Sequence, residues 1–178
     1  MKRSTKFFLF GLGIGLGLSA RELLKHSKQV TQTAGPIVFD WLGKGVPTAD
    51  LAAELEASGK RNLQQLMEKM PTKHNYNVLN HLIGIEKWGQ QRLRVALGDG
   101  AFVLDEHDDY RPRFGLSWNE LQDVFSQTRI ETLELAERID AAEKGGERVL
   151  HNDFGEISAN HWLHYLRLHA NGELWKMN

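Results

Sequence analysis

The chain has 178 residues, 41% hydrophobic and 25% charged, with a net charge of -1 and no cysteine. That is enough for one domain with its own core, and the near-neutral balance excludes a general electrostatic case for nucleic-acid binding. Disulfides, thiolate zinc sites and cysteine nucleophiles are excluded too, so any transition-metal site must use His, Asp and Glu.

Lys2, Arg3 and Lys6 precede an uncharged run, FFLFGLGIGLGLSA, from Phe7 to Ala20. A basic start, an apolar stretch and a small residue at Ala20 resemble a secretory signal, although Leu18 stands where cleavage after Ala20 wants a small residue. The run is shorter than the ~20 residues of a spanning helix. Its pairs Gly11/Gly15 and Gly13/Gly17 permit close helix contact in a membrane. An anchor, an exported leader and a packed helix are all open readings, and so are cytoplasmic, membrane-associated and exported locations. Gly15, Gly17 and Ala20 match only a loose dinucleotide-loop pattern, and no strand–helix alternation follows, so that reading is set aside. The breakers Gly35-Pro36 and Gly43 to Pro47 put a boundary near Gly45. Residues 1–45 are then an apolar segment with a linker, and residues 46–178 the main domain.

The first helix of that domain should start at Thr48 or Asp50, either able to cap, and run over Ala49 to Glu68. Leu51, Leu55, Leu63 and Leu66 give it an apolar face, Gly59 weakens its middle and Met70-Pro71 ends it. The second helix runs from about Tyr76 to Leu97. Its Val78, His81, Ile85 and Trp88 form one helical stripe, so His81 interrupts an apolar seam. Gly98 to Pro112 is a loop with Asp105, Glu106, Asp108 and Asp109. It lacks the D-x-D-x-D-G pattern of a calcium loop and reads as solvated. The third helix opens at Ser117 with Glu120 completing a capping box. It turns Leu121, Phe125, Ile130, Leu133, Leu135 and Ile139 to a core and stops at Gly145-Gly146. A loop with His151, Asp153, Phe154 and Gly155 leads to Ser158, the cap of a last helix containing Asn160 to Trp175. No alternating strand stands out. The expected class is all-α: an antiparallel four-helix bundle with an extra N-terminal apolar helix.

The last helix carries the chemistry. Trp162, Leu166, His169 and Glu173 share one face, so His169 and Glu173 should point inward with the two apolar residues. A buried carboxylate costs several kcal/mol unless it is paired or bound to metal. With His81 on its own inward stripe, the set offers two imidazoles and one carboxylate, suited to one divalent ion of Zn, Ni, Fe or Mn with positions left open. Core histidines with satisfied rings and a frayed, solvated Glu173 are the plain alternative. His161 and His164 form a competing pair that faces inward if the helix is rotated. His151 reads as a turn residue. His26, His74 and His107 read as exposed, and Glu86 as a surface acid or a partner of the ligands, with the surface favoured.

Three segments resemble the DinB superfamily over about Val46 to Asn178: NVLNHLIGIEKW, SWNELQDVFSQTRIETLELAERI and HNDFGEISANHWLHYLRLHANGE. The resemblance implies a four-helix bundle with one metal-binding His on its second helix and two His four apart on its fourth. By position these correspond to His81, His169 and Glu173, with Glu in place of the last His. It also implies transferase, isomerase or hydrolase chemistry, in some members with a small thiol. Arg111, Arg113 and Arg129 are then candidates to hold a carboxylate, or ordinary surface cations. The expected function is a metal-dependent protein acting on a small molecule. The alternative is a non-catalytic, membrane-tethered binding protein with a degenerate site. Expected partners are a small-molecule substrate, a second copy of the chain and a membrane at the N-terminus; nucleic acid is not expected.

Overall fold

Among the described residues, Pro47, with its fixed φ and no N–H to leave unpaired, precedes the first helix. The computed structural model describes residues 45–113 and 115–178. The expected N-terminal apolar helix, its glycine pairs and the candidate membrane segment lie outside the described residues. The chain then forms α1 (Thr48–Met67), α2 (Lys73–Leu97), a single 3-10 turn (His107–Tyr110), α3 (Trp118–Ala141), β1 (Arg148–His151), β2 (Gly155–Ser158) and α4 (Ala159–Trp175). Among the described residues no helix is long and apolar enough to cross a membrane.

The helix ends follow local chemistry, with some corrections to the expected bounds. Neither Thr48 nor Asp50 caps α1; Pro47 occupies that position, with no side-chain cap bond. The second helix starts three residues earlier than Tyr76, because the Thr72 side chain accepts from Asn75 N. Ser117 and Glu120 form both bonds of the capping box on α3. That helix ends before Gly145: Glu143 takes a positive φ of 55° and turns the chain first. Ser158 caps α4 by accepting from His161 N.

The described residues are mostly helical, with one small sheet that the sequence did not reveal. β1 and β2 pair antiparallel, Val149 opposite Ile157 and His151 opposite Gly155. Each strand has only four residues, too few to show alternation. A two-stranded hairpin is marginal by itself; this one is held by Trp162 Nε1 donating to Val149 O at 3.2 Å and Ala159 N donating to Glu147 O at 2.8 Å.

Bonds between helix ends give the directions of the helices. Thr48 meets Asn160 at one end of α1 and α4, and Lys69 meets Met177 O at the other, so these two run parallel. Asn75 at the start of α2 bonds Asn178 O just past the end of α4, so α2 runs against α4. Gln122 near the start of α3 donates to Leu66 O near the end of α1, so α3 runs against α1. Tyr76 and Trp118 pair near the starts of α2 and α3, which are therefore parallel. Two of the four helix neighbourhoods are thus parallel rather than antiparallel. The physical reason is the long 98–117 connection. A 25-residue helix is about 37 Å long, and an extended connection of that length can return the chain to the starting end.

Two apolar cores fill the interior. One gathers Trp88, Leu93, Ile139, Val149, Ile157, Trp162 and Leu166; the other gathers Leu66, Leu79, Leu82, Leu121, Phe125 and Leu174. Each such side chain contributes about 1.5–3 kcal/mol on burial. Ile130, expected inside, is exposed, because it lies on the outer side of α3. Between the helices lies a polar layer. Glu86, expected at the surface, is 1% exposed, and Arg129 is 3% exposed. Their side chains pair at 3.0 Å, Thr132 Oγ1 donates to Glu86 at 2.7 Å, and Gln90 donates to Thr128 O at 2.7 Å. Burial pushes the Glu86 carboxyl upward, while Arg129 and Thr132 oppose the rise. Gly59 on α1 makes room for this arginine: a Cβ there would stand 2.9 Å from Arg129 Cγ.

Candidate metal centre

The stripe on α2 buries Val78, Ile85 and Trp88 and leaves His81 half-buried. The stripe on α4 buries Trp162 and Leu166 and leaves His169 and Glu173 half-buried. Because the two helices pack with these stripes facing, His81 and His169 meet with ring centroids 5.2 Å apart. His81, His169 and Glu173 each offer one ligand atom, and the three atoms lie within 4.8 Å of one another. His169 Nε2 stands 3.8 Å from Glu173 Oε1. That is too long for a hydrogen bond. It is close to the roughly 3.4 Å edge that bonds of 2.0–2.1 Å make at a tetrahedral angle. The other edges lie within 4.8 Å, so the donor set fits a divalent ion after a contraction of up to about 1.4 Å. Lys176 Nζ is the present counter-charge of Glu173, at 2.5 Å.

Both imidazoles are held neutral. Burial lowers His81 to about 4, helped by His107 and Arg111 and opposed by Glu173 and Asp108. Burial lowers His169 to about 3, helped by the nearby His81 and Lys176. A neutral imidazole keeps a lone pair available, which is the form a metal binds. His169 Nδ1 is buried and has no hydrogen-bond partner among the described residues.

A third element closes over this pair of helices. The 3-10 turn places His107 4.9 Å from the His81 ring, so His107 belongs to the centre rather than to the solvent. His81, His107 and Asp108 form a second group of three converging ligand atoms. Asp108 also bonds Arg111 at 2.6 Å and His107 at 3.1 Å, and Arg111 reaches His81 Nδ1 at 3.4 Å. Gly84 permits this approach: a Cβ there would lie 2.8 Å from His107 O and 2.9 Å from Arg111 Cγ. Asp105 bolts the turn down. Its carboxylate accepts from Trp88 Nε1 at 3.0 Å, from Arg92 at 2.8 Å and from the Tyr110 hydroxyl, and its carbonyl accepts from Asn152 at 2.8 Å. Burial works against the Asp105 carboxylate, but the bonds from Tyr110, Arg92 and Trp88 hold it below the usual carboxylate range. Burial and Asp105 together push Tyr110 up to about 12. Of the loop's acids, Glu106, Asp108 and Asp109 are exposed as expected.

The remaining histidines sort by geometry. His161 Nδ1 bonds Ser158 Oγ at 2.7 Å, and His164 Nδ1 faces Arg167 at 3.3 Å; the competing pair joins no converging group among the described residues. His74 is exposed and bonds Lys176 O at 3.1 Å. His26 lies outside the described residues. His151, expected in a turn, is 2% exposed and stacks on Trp162 at 4.8 Å. Its spacing gave no signal, because the four residues of β1 are too few to show a period. Among the candidate arginines, Arg111 stands at the centre, Arg129 is engaged by Glu86, and Arg113 is exposed. No protein-family model matches the chain, and neither a curated protein nor a solved structure is significantly similar to it.

Proposed function

We propose that this chain is a divalent-metal-dependent protein of the DinB type, its helices forming that superfamily's four-helix bundle, which acts on a small molecule by thiol-dependent transferase or hydrolase chemistry. One observation carries the reading: two helices far apart in sequence bring His81, His169 and Glu173 to a point where three ligand atoms lie within 4.8 Å. Zn, Ni, Fe and Mn suit a set of two nitrogens and one oxygen. When bound, such an ion supplies Lewis acidity to an oxygen or sulfur donor on its open side.

The chain's own residues do the rest. His81, His169 and Glu173 hold the ion, and Asp108 offers a carboxylate to orient the imidazoles of His81 and His107. Trp88, Tyr165 and His107 line the centre with ring surface. Glu173 and Asp108 balance Lys176 and Arg111, so the ion's two charges stay uncompensated. That excess favours an anionic donor such as a thiolate.

The test is elemental analysis of untagged, metal-supplemented protein. About one equivalent of a divalent transition metal is expected, falling below about a tenth in His169→Ala, since each ligand contributes strongly to affinity. Equal metal content in the two proteins would overturn the reading.

A further inference from the structure

His107 and Asp108 converge on His81 from the 3-10 turn, and the proposed function uses neither as a ligand. With His81 they bring three ligand atoms within 4.8 Å of one another. The edge from His107 Nε2 to Asp108 Oδ1 is 3.1 Å. Bonds of 2.0–2.1 Å make an edge of roughly 2.9 Å at a right angle and roughly 3.4 Å at a tetrahedral one. This edge therefore already lies in the range that one ion spans. The His81 and His107 ring centroids are 4.9 Å apart, slightly closer than the 5.2 Å between His81 and His169 in the inner set.

A positive charge already sits among these donors. Arg111 Nη2 stands 2.6 Å from Asp108 Oδ1 and 3.4 Å from His81 Nδ1, bridging a carboxylate and an imidazole from different elements. The Arg111 side chain is 38% exposed, so the guanidinium has solvent to swing into. The turn that carries His107 and Asp108 is fixed. Asp105 ties it to Trp88 and Arg92 on α2, and Gly84 lets its backbone close on that helix.

The two sets differ in access. Side-chain exposure is 64% at Asp108 and 26% at His107, against 15% at Glu173 and 17% at His169. An ion arriving from solvent meets Asp108 first. Nor can both sets be filled together: each needs His81, and a neutral imidazole has a single lone pair to give.

We infer that His81, His107 and Asp108 form a second, solvent-side position for the divalent ion, the one that captures it, alternative to the inner position because both depend on His81. The inference rests on the metal reading and extends it to how the ion is acquired. Two nitrogens and an exposed carboxylate suit the same divalent transition metals as the inner set. Capture displaces the Arg111 guanidinium from Asp108. When the ion passes to His169 and Glu173, Arg111 returns to the carboxylate.

The test titrates full-length His169→Ala, whose inner set is broken, with Co(II), read by its visible absorption. The variant should take up about one equivalent, too weakly to survive gel filtration. Adding Asp108→Asn or His107→Ala should remove that uptake. Adding Arg111→Gln should strengthen it roughly threefold, the worth of a partly exposed ion pair. No uptake by His169→Ala, or uptake that Asp108→Asn or His107→Ala leaves unchanged, overturns the inference while the metal reading stands. Two equivalents bound by the unsubstituted protein overturn it as well, since the positions would then not be alternatives. Failure of the unsubstituted protein to bind Co(II) overturns both readings. Should His169→Ala not fold, stopped-flow uptake of Co(II) by the single variant Asp108→Asn decides, because that side chain is exposed. Its on-rate should fall about tenfold, the lower end of electrostatic steering, with the final affinity unchanged. An unchanged on-rate, or a loss of affinity without a loss of rate, overturns the inference.

Discussion

Two polar clusters sit inside these helices, and they solve the problem of a buried carboxylate in opposite ways. Around Glu86 the chain supplies its own answer: Arg129 at 3.0 Å and Thr132 at 2.7 Å, with both charged residues almost wholly buried. Around Glu173 it does not. The nearest imidazole nitrogen among the described residues is 3.8 Å away, Lys176 pairs with the carboxylate from the rim, and the facing histidines are neutral. The first cluster pairs its carboxylate with a cation of its own. The second gathers lone pairs from two helices and leaves them without a shared positive charge. An ion pair of this kind fixes packing, whereas converging donor atoms from two helices are the arrangement on which the proposed metal site rests.

The comparison breaks first at the closed cluster. Arg129→Met leaves Glu86 buried without its partner and should destabilise the protein by about 3 kcal/mol or more, measured by denaturant unfolding, with metal content unchanged in the folded fraction. The double variant Glu86→Gln with Arg129→Met should recover part of the loss. A large drop in metal content would mean that the two clusters are not separate.

The open cluster should respond in the reverse sense. Metal at one hundred times its dissociation constant should stabilise the unsubstituted protein by about 2.7 kcal/mol, read as a rise in Tm. His169→Ala should abolish that rise and change metal-free stability far less than Arg129→Met does. A Tm that ignores Zn(II), Ni(II), Fe(II) and Mn(II) alike would remove the distinction.

Acid sharpens the contrast. His81, His151 and His169 have folded values of about 4, 3 and 3, below the ordinary imidazole value of roughly 6.5. Between those limits the unfolded chain binds more protons, so stability rises with pH there. The metal-free protein should therefore hold full stability above about pH 6.5 and lose it steadily as the pH falls toward 4. Thermal melts across that window check this. In His81→Ala or His169→Ala the slope should be shallower, and an unchanged slope would count against buried neutral rings.

The smallest effect concerns the two glycines that cradle the clusters, one at each. Gly84→Ala forces a Cβ against the His107 backbone. Overpacking of about 1–3 kcal/mol is partly offset by helix propensity of up to about 1. Imidazole NMR shifts of His81 should change as the turn moves away. Gly59→Ala meets only the methylenes of Arg129 and should leave those shifts alone.

Much of this was legible in the residues. The Ser117 and Ser158 caps, the stripe Val78–His81–Ile85–Trp88 and the stripe Trp162–Leu166–His169–Glu173 rest on local bonds and helical period, which a sequence displays directly. Glu86 and Arg129 were not legible, because each looks like a solvated charge until the partner helix is in place. His107 and His151 were missed for a related reason. Both lie off the regular helices, where spacing says nothing about burial, and both are positioned by contacts with residues distant in sequence.

The sequence by itself determined where the helices run and the main apolar stripes they bury, and it set His81, His169 and Glu173 in line with those stripes. Only the tertiary structure decided the parallel run of α2 and α3, the hairpin on Trp162, the turn seated over Gly84, and which buried carboxylate has a partner. Period and capping act within a few residues. Pairing, close approach and desolvation depend on what the rest of the chain brings alongside.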